Sequence, residues 1–461
     1  MHNIKLLHKK LICIFLMMIF ICIVPLHSNA TEPNLNIYAP ACILMESSTG
    51  KILYSKNANA KMYPASTTKV MTAILTLEKC NLNDIVTVSH DAVFDVPSTY
   101  SHASLREGEQ LTVEQLLYVL LIPSANDAAF ALAEHIGGSV ENFATMMNEK
   151  AVELGCKNTH FVNPNGIHDE NHYSTAYDLA LMGQYAMKNA IFRKIVSTTT
   201  YTLPITNKYD KEDRIFATTN ELLKSPSSST YYKYATGAKT GYTDAAKNCI
   251  IATASKDSTD LIVVILHDEK TDEGLNTRAA DCKTLFEYGF NNFSLRTIST
   301  SDSIEQTITV SGATEETKKL DLITTEDISA YLPNDFDTSS IEKNITLNTD
   351  ITAPITKGSV VGQITYTANG ETFTADLVAS HDVYQFDIIK IILEILLILV
   401  VLALISLFMK RSNNNKSKYS SNSKNYKKTS ASKRSKNKKN KSSKRMYYDF
   451  DFYPSTSNFK A

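Results

Sequence analysis

The sequence predicts an α+β domain, a small all-β domain after it and a C-terminal transmembrane helix. Three observations lead to this prediction. Helical segments with recognisable caps occupy the first part of the chain, and three strands separated by short polar turns follow around residue 250. Near the C-terminus, residues 391–409 are almost wholly apolar. A run of this length is typical of a membrane-spanning helix.

The first elements mix strands with helices. Residues 38–45 and 51–54 predict a β-hairpin, because the turn-forming segment Ser47-Ser48-Thr49-Gly50 joins them. A helix is predicted to begin at Ser66, directly after Pro64 and Ala65. Its apolar positions recur at helical spacing, at Val70, Met71, Ile74 and Leu77.

The later elements complete the α+β domain. Thr112 and Gln115 have capping-box spacing and open a helix to Leu121, and residues 139–154 predict another helix, closed by Gly155. Successive antiparallel strands are predicted at residues 239–242, 248–254 and 261–267, followed by a last helix at residues 281–288. Helices packed on such a sheet define the α+β class, with the functional site expected where helix starts meet a sheet edge.

The composition changes after residue 293. Thr, Ser, Ile and Val alternate in short runs such as 307–310 and 360–366, which is typical of a small β-domain. We therefore place the α+β domain at residues 34–293 and an all-β domain at residues 294–385. The second domain has no evident catalytic cluster and is expected to act as a stalk.

Both ends of the chain carry apolar segments. Residues 1–30 have a basic start, an apolar stretch and a small-residue finish at Ala30, which predicts a cleaved signal peptide. An uncleaved anchor is the alternative. Residues 388–409 predict one transmembrane helix, because the apolar run spans about 29 Å at 1.5 Å per residue. A helix lying in the membrane plane is the alternative, although almost no polar face is available for it.

The charges are separated along the chain. Residues 410–461 carry 16 Lys and Arg side chains against 2 Asp, which predicts a disordered cytoplasmic tail and places the residues before the helix outside the cell. Residues 31–385 carry 27 basic and 44 acidic side chains. This acidic excess argues against a nucleic-acid ligand for the ectodomain. The expected location is therefore the cell membrane, with a single pass.

Five cysteines remain after the signal peptide is removed. They are scattered among apolar neighbours without paired spacing, at Cys42, Cys80, Cys156, Cys249 and Cys282. This distribution predicts small buried apolar residues rather than a disulfide framework or a zinc site.

Three short motifs carry the chemical signal. They are Ser66-Thr67-Thr68-Lys69, Ser124-Ala125-Asn126 and Lys239-Thr240-Gly241, in that order. Each is weak alone: Ser-x-x-Lys recurs in polar segments, Ser124 has the spacing of a helix N-cap, and Lys239 could simply start a strand. Their order and their fitting local structure together predict a serine acyltransferase that uses lysine as its base.

The spacing of the first motif explains its chemistry. A serine hydroxyl needs an adjacent proton acceptor, and three residues of helix place Lys69 on the same face as Ser66. Lys69 must be neutral to accept a proton. This requires burial and a nearby positive charge, which Lys239 can supply.

The chain resembles the serine-type D-alanyl-D-alanine carboxypeptidases, the low-molecular-mass penicillin-binding proteins with a β-lactamase/transpeptidase-like domain. Beyond the three motifs, residues 64–73 are similar to the nucleophile segment of that family, and Asn163-Pro164-Asn165-Gly166 with residues 173–176 to its central loop. Arg278 and residues 285–290 match its carboxylate-binding arginine and its closing helix. Family members usually end in an amphipathic helix, so the predicted spanning helix is a departure.

The resemblance implies a mechanism and roles for individual residues. Ser66 would attack the bond between the two terminal D-alanines of a peptidoglycan stem peptide, Ser124 would relay a proton, and Asn126 would hold the acyl chain. The resemblance further implies oxyanion donors in the backbone N–H groups of Ser66 and Tyr242, and carboxylate binding by Thr240 and Arg278. Gly241 would let the substrate lie against the strand. β-Lactams are the expected covalent inhibitors, and no metal or cofactor is expected.

Three alternatives stay open at this stage. A class A β-lactamase shares the motifs and needs a deacylating Glu, for which Glu170 is the candidate, in an atypical context. A zinc peptidase is suggested only by His168 and His172. A membrane-bound penicillin-binding sensor would be acylated but would turn over little. Release of D-alanine from a pentapeptide separates these hypotheses.

Overall fold

The computed structural model describes residue 33, residues 35–269 and residues 277–421. The predicted signal peptide and the tail beyond residue 421 lie outside the described residues. The chain divides between Tyr384 and Gln385 into two compact units.

The helices and strands alternate irregularly along the chain. The helices are α1 (Lys69–Lys79), α2 (His90–Phe94), α3 (Val113–Leu121), α4 (Asn126–Gly137), α5 (Val140–Glu153), α6 (Ala176–Met187), α7 (Ala190–Val196), α8 (Arg278–Asn292) and α9 (Ile388–Ser421). The strands up to residue 268 are β1 (Ala41–Glu46), β2 (Ile52–Lys56), β3 (Ile85–Thr87), β4 (Gln110–Thr112), β5 (Thr200–Leu203), β6 (Arg214–Ala217), β7 (Ala235–Thr243), β8 (Lys247–Lys256) and β9 (Thr259–Asp268). The later strands are β10 (Phe293–Ser299), β11 (Ile304–Thr309), β12 (Lys319–Ile323), β13 (Ile328–Pro333), β14 (Glu342–Leu347), β15 (Val360–Ala368) and β16 (Glu371–Ala379).

The first part of the chain is built on one antiparallel sheet. Its strand order is β2-β1-β9-β8-β7. Because successive side chains of a strand point to opposite faces, Ile43 and Met45 join the core under α1, α3 and α4, whereas Cys42 and Leu44 join the core under α8. The sheet is therefore covered by helices on both faces, which confirms the predicted α+β class.

Strand β7 lies at one end of this sheet. It pairs with β8 on one side, with Lys239 opposite Ile251 and Thr240 opposite Ile250, and it has no other strand beside it among the described residues. An edge strand presents every second backbone group away from its partner, toward solvent or a ligand. The Lys239-Thr240-Gly241 motif lies in the middle of this edge.

Several predicted elements are confirmed with small shifts. The first hairpin and the three consecutive strands are present, and Thr112 and Gln115 form both hydrogen bonds of the capping box at the start of α3. The helix expected at Ser66 begins differently. Residues Ala65–Thr68 form a 3-10 turn, and α1 starts at Lys69.

The all-β domain contains a five-stranded antiparallel sheet in the order β11-β12-β16-β15-β14, with β10 and β13 paired beside it. It packs on the α+β domain. Tyr331 of β13 is buried in the same core cluster as Phe286, and the Lys51 Nζ atom lies 2.9 Å from Glu371 Oε2. The expected stalk is thus part of the same compact unit as the α+β domain.

The C-terminal unit contains the apolar helix α9. Its segment Ile388–Arg411 is long and apolar enough to cross a membrane, and its side chains are exposed. The helix continues to Ser421, so residues 410–421 are helical and the expectation of disorder is wrong for them. A formed helix extends readily because each added residue gains a hydrogen bond without a new nucleation step.

Four of the five cysteines are buried, as predicted for small apolar residues; they are Cys42, Cys156, Cys249 and Cys282. Cys80 is only partly buried, at the end of α1. Burial raises the pKa of the Cys249 thiol to about 11, which keeps it in the unreactive protonated form.

Candidate active site

The serine and lysine of the first motif lie in contact. The 3-10 turn has about three residues per turn, so it stacks Lys69 directly over Ser66 more closely than an α-helix would. The Lys69 Nζ atom lies 2.9 Å from Ser66 Oγ. Ser66 is half-buried, whereas the Lys69 side chain is fully buried.

The surroundings of Lys69 suit a neutral amine. Its Nζ atom donates to Asn126 Oδ1 at 2.7 Å and to the carbonyl oxygen of Asn165 at 2.8 Å. A neutral amine has two N–H groups, and these two oxygens accept both of them. In the neutral state the remaining lone pair faces the Ser66 hydroxyl, which can then donate to it.

The protonation state of Lys69 is set by burial and by charge. Loss of hydration lowers the pKa of Lys69 well below its usual value, and the neighbouring Lys239 ammonium lowers it further, against the opposing effect of the Asp127 carboxylate. Lys239 is itself buried, and burial together with the nearby Arg278 lowers its pKa to about 7. The two lysines therefore resist carrying charge at the same time.

The second motif lies where α3 gives way to α4. Ser124 has a left-handed backbone (φ +67) and is buried, and Ala125 occupies the N-cap of α4 without any side-chain cap. The interpretation of Ser124 as a helix cap is therefore wrong. Asn126 donates from Nδ2 to the Ser101 carbonyl oxygen at 2.9 Å, which fixes its Oδ1 atom toward Lys69.

The third motif approaches the 3-10 turn of residues Ala65–Thr68, the catalytic turn, so closely that no side chain fits between them. A Cβ atom on Gly241 would lie 2.8 Å from the Ser66 nitrogen and 3.0 Å from Ala65 Cβ. Gly241 was expected to let the substrate lie against the strand, but its contacts give a different reason for a glycine at this position. Glycine is needed here so that β7 can pack on the backbone of the catalytic turn.

Other groups of the third motif are held by short contacts. Lys239 Nζ donates to the Thr240 carbonyl oxygen at 2.8 Å, and Thr240 Oγ1 lies 2.6 Å from Thr219 Oγ1. The Tyr242 side chain is 55% exposed and donates from its hydroxyl to Asp244 Oδ1 at 3.0 Å. Hydrogen bonding to that carboxylate raises the pKa of Tyr242.

Arg278 is clamped by a residue that the sequence analysis missed. Its Nε and Nη2 atoms donate to the two carboxylate oxygens of Glu221 at 2.8 Å each, and Nη1 donates to the carbonyl oxygen of Cys249 at 2.9 Å. Arg278 and Glu221 are both buried. Their separation of 57 residues leaves no local pattern in the sequence that could reveal the pair.

The central loop packs on the helix that carries Lys69. His172 is buried; its Nδ1 accepts from the Val162 N–H at 3.2 Å and its Nε2 lies 2.8 Å from Thr68 Oγ1. Burial lowers the pKa of His172 to about 3, so the ring is neutral. With both ring nitrogens engaged, His172 supports the catalytic turn and is not available as half of a zinc-binding pair with His168.

The motif residues surround one cavity of about 470 Å³. Its lining includes Ser66, Ser124, Thr240, Gly241, Tyr242 and Arg278, while Lys69, Asn126 and Lys239 lie buried behind it. The structure thus brings together all nine residues predicted from the sequence. Glu170, the candidate for a deacylating residue, is exposed and does not line the cavity. The arrangement can activate a serine hydroxyl and bind an anionic group beside it.

Comparison with known proteins identifies the class to which this fold and site belong. The D-alanyl-D-alanine carboxypeptidase family, peptidase S11, matches residues 27–270, and the C-terminal domain of penicillin-binding protein 5 matches residues 293–385. The chain therefore belongs to the peptidase S11 family of D-alanyl-D-alanine carboxypeptidases.

Individual relatives are similar to this chain over most of their own length. The chain is 34% identical to the D-alanyl-D-alanine carboxypeptidase DacF of Bacillus subtilis, over 75% of this chain and 85% of the relative. It is similar to the crystal structure of penicillin binding protein 5 from Haemophilus influenzae (29% identity, TM-score 0.60, 76% of this chain and 98% of that one). It is also similar to the peptidoglycan synthesis regulatory factor PBP3 from Streptococcus pneumoniae (28% identity, TM-score 0.62, 75% and 99%).

Proposed function

We propose that this protein removes the terminal D-alanine from peptidoglycan stem pentapeptides through an acyl-enzyme on Ser66. The single observation that carries the assignment is the contact between Ser66 and a fully buried Lys69 whose two N–H groups are taken by Asn126 and Asn165. A base held in this way accepts the serine proton without first having to lose one of its own.

The remaining roles follow from position around the cavity. The backbone N–H groups of Ser66 and Tyr242 stabilise the oxyanion, because the Ser66 nitrogen lies against the edge of β7 next to Tyr242. Asn126 orients Lys69 and holds the acyl chain, and Ser124 relays the proton to the leaving amine.

Thr240 and Lys239 receive the C-terminal carboxylate of the substrate. Arg278 contributes positive charge beside them, although Glu221 holds its guanidinium and offsets much of that charge. Water then hydrolyses the acyl-enzyme. A β-lactam, which carries both a reactive carbonyl and a carboxylate, is expected to acylate the same serine.

The membrane arrangement is part of the proposal. The helix Ile388–Arg411 is a candidate anchor, and the 16 Lys and Arg side chains of residues 410–461 favour the cytoplasmic side for the tail. The catalytic domain then lies outside the cell, where stem peptides are. This is a single-pass arrangement.

The test combines turnover with covalent labelling. The full-length protein in detergent should release D-alanine repeatedly from a pentapeptide, and a β-lactam should add one adduct to its intact mass. Ser66→Ala should abolish both, whereas Ser340→Ala, at a Ser-x-x-Lys sequence in the all-β domain, should change neither. An adduct that survives in Ser66→Ala would refute the assignment of the nucleophile.

Turnover also decides between this enzyme and the sensor alternative. A penicillin-binding sensor would form the adduct but would release no more than about one equivalent of D-alanine. A β-lactamase would instead hydrolyse the β-lactam and lose the adduct rapidly.

A further inference from the structure

We propose that Asp244, oriented by Tyr242, selects stem peptides that carry a free ammonium group on the residue before the two D-alanines. The inference rests on the proposed function, which sets where the carboxylate and the reacting carbonyl of the substrate lie. The part of the substrate that Asp244 would recognise is the side chain of the residue before the two D-alanines.

Asp244 lies on the cavity side of the edge strand. Strand β7 ends at Thr243, Asp244 follows in the turn, and residues 240–244 all line the cavity. Gly241 and Thr243 are buried, whereas Tyr242 and Asp244 are exposed. The exposed side chains at this end of the cavity are therefore an aromatic ring and a carboxylate.

The proposed reaction fixes the direction of the bound peptide. Its C-terminal carboxylate lies at Thr240 and its reacting carbonyl at the N–H of Tyr242, so the preceding residues continue toward Asp244. The distance from Thr240 to Thr243 is about 10 Å along the strand, and Asp244 follows in the turn. Two substrate residues cover about 7 Å of this distance. A long aliphatic side chain with a terminal ammonium group covers the rest, whereas a short side chain does not.

The cavity is electrically asymmetric in the same direction. Of its described lining residues, two are charged: Arg278, near the carboxylate end, and Asp244, near the opposite end. Arg278 is paired with Glu221, and the ion pairs of the described residues include none that involves Asp244. A peptide with a carboxylate at one end and an ammonium group upstream matches this arrangement.

The turn itself does not depend on the Asp244 carboxylate. The Thr243 Oγ1 atom accepts from the Ala246 N–H at 3.0 Å and closes the turn. The Asp244 carboxylate instead accepts from the Tyr242 hydroxyl at 3.0 Å, which ties it to another side chain of the cavity lining. Replacing Asp244 by Asn keeps the shape of the side chain and removes its charge.

The experiment compares two substrates that differ in one charge. Nα-acetyl-Lys-D-Ala-D-Ala keeps the side-chain ammonium, and its Nε-acetylated form lacks it; D-alanine release by the full-length protein in detergent gives kcat/KM for each. We expect the wild type to favour the charged substrate about two- to fivefold, which is the range for an exposed ion pair. High salt should reduce this preference.

The variant and its control are matched in chemistry. Asp244→Asn should bring the ratio of the two kcat/KM values close to one. Asp257→Asn should keep the wild-type ratio, because Asp257 is an exposed residue in the β8–β9 turn, beyond the opposite end of β7. An unchanged ratio in Asp244→Asn would overturn the inference. No D-alanine release from either substrate would instead overturn the proposed function, and the inference with it.

Discussion

Two buried lysines lie beside Ser66. In the proposed mechanism, Lys69 is neutral and accepts the serine proton, while Lys239 is charged and attracts the carboxylate. Burial lowers the pKa of both; the Lys239 ammonium lowers that of Lys69 further, and the nearby Arg278 helps to lower that of Lys239 to about 7. The proposed mechanism therefore requires the two groups to hold opposite protonation states.

This pairing predicts a bell-shaped pH dependence of kcat/KM. The rate should rise with pH as Lys69 loses its proton, and fall again near pH 7 as Lys239 loses its own. Lys239→Arg should move the falling limb to higher pH, because arginine stays charged. The measurement is D-alanine release between pH 5 and pH 10, and a falling limb that is unmoved in this variant would contradict the assignment.

Glu221 is predicted to matter for stability as well as for charge. In Glu221→Gln the buried Arg278 guanidinium loses an opposite charge, which for buried pairs costs about 3 kcal/mol of unfolding free energy. Thermal unfolding of the purified protein in detergent should detect this loss.

The matched control removes an exposed pair. Glu315→Gln breaks the ion pair between Glu315, which is 84% exposed, and Lys318, which is 39% exposed. This change should cost less than about 1 kcal/mol of unfolding free energy. Equal melting temperatures for the two variants would indicate that the Glu221–Arg278 pair does not stabilise the fold.

At the scale of elements, the site depends on the close packing of strand β7 on the 3-10 turn of residues Ala65–Thr68. The central loop adds a second close approach, since a Cβ atom on Gly166 would lie 1.8 Å from the Ala65 carbonyl oxygen. Two glycines, one from each neighbouring element, thus let backbone meet backbone around Ser66. The position of the nucleophile is set by this packing and not by its own helix alone.

Gly241→Ala should therefore impair acylation. The added methyl group meets backbone atoms of the turn, and a shift of about 1 Å in a reacting group can cost about 100-fold in rate. Stopped-flow acylation by a fluorescent β-lactam measures the effect. The control is Gly183→Ala in α6, whose Cβ atom would meet only the Ile251 and Ile262 methyl groups and which should acylate at the wild-type rate. Normal acylation in Gly241→Ala would mean that the turn tolerates displacement.

At the scale of the whole molecule, the residues around the cavity and the candidate membrane helix belong to different units of the chain. The described residues up to Tyr384 form one compact unit in which the all-β domain packs on the α+β domain, and the apolar helix belongs to the other unit. Anchoring can therefore differ from that of typical family members without changing the residues around the cavity.

The spanning arrangement predicts a protected tail. With an epitope tag after Ala461, protease added to intact wall-free cells should remove the catalytic domain and leave a small tagged fragment, because this arrangement places the tail inside. Detergent-permeabilised cells are the control and should lose the tag. Loss of the tag from intact cells, or extraction of the whole protein by carbonate, would mean that the helix lies on the surface.

The sequence by itself determined the fold class, the order of the domains and the three motifs that meet at the cavity. Local signals suffice for much of this: the capping box at Thr112, the strand pattern around residue 250, and the spacing of Ser66 and Lys69 act within a few residues of the chain. Arg278 was found only through the family resemblance.

Only the tertiary structure decided which residues far apart in the sequence contact one another. The bond from Lys69 to the Asn165 carbonyl, the clamp of Glu221 on Arg278 and the close approach of Gly241 to Ser66 join residues separated by 96, 57 and 175 positions. Packing, not local propensity, creates such contacts, so no short pattern reveals them. For the same reason only the structure shows that Ser124 does not cap a helix and that both ring nitrogens of His172 are engaged, because a cap or a metal ligand is defined by what the side chain touches.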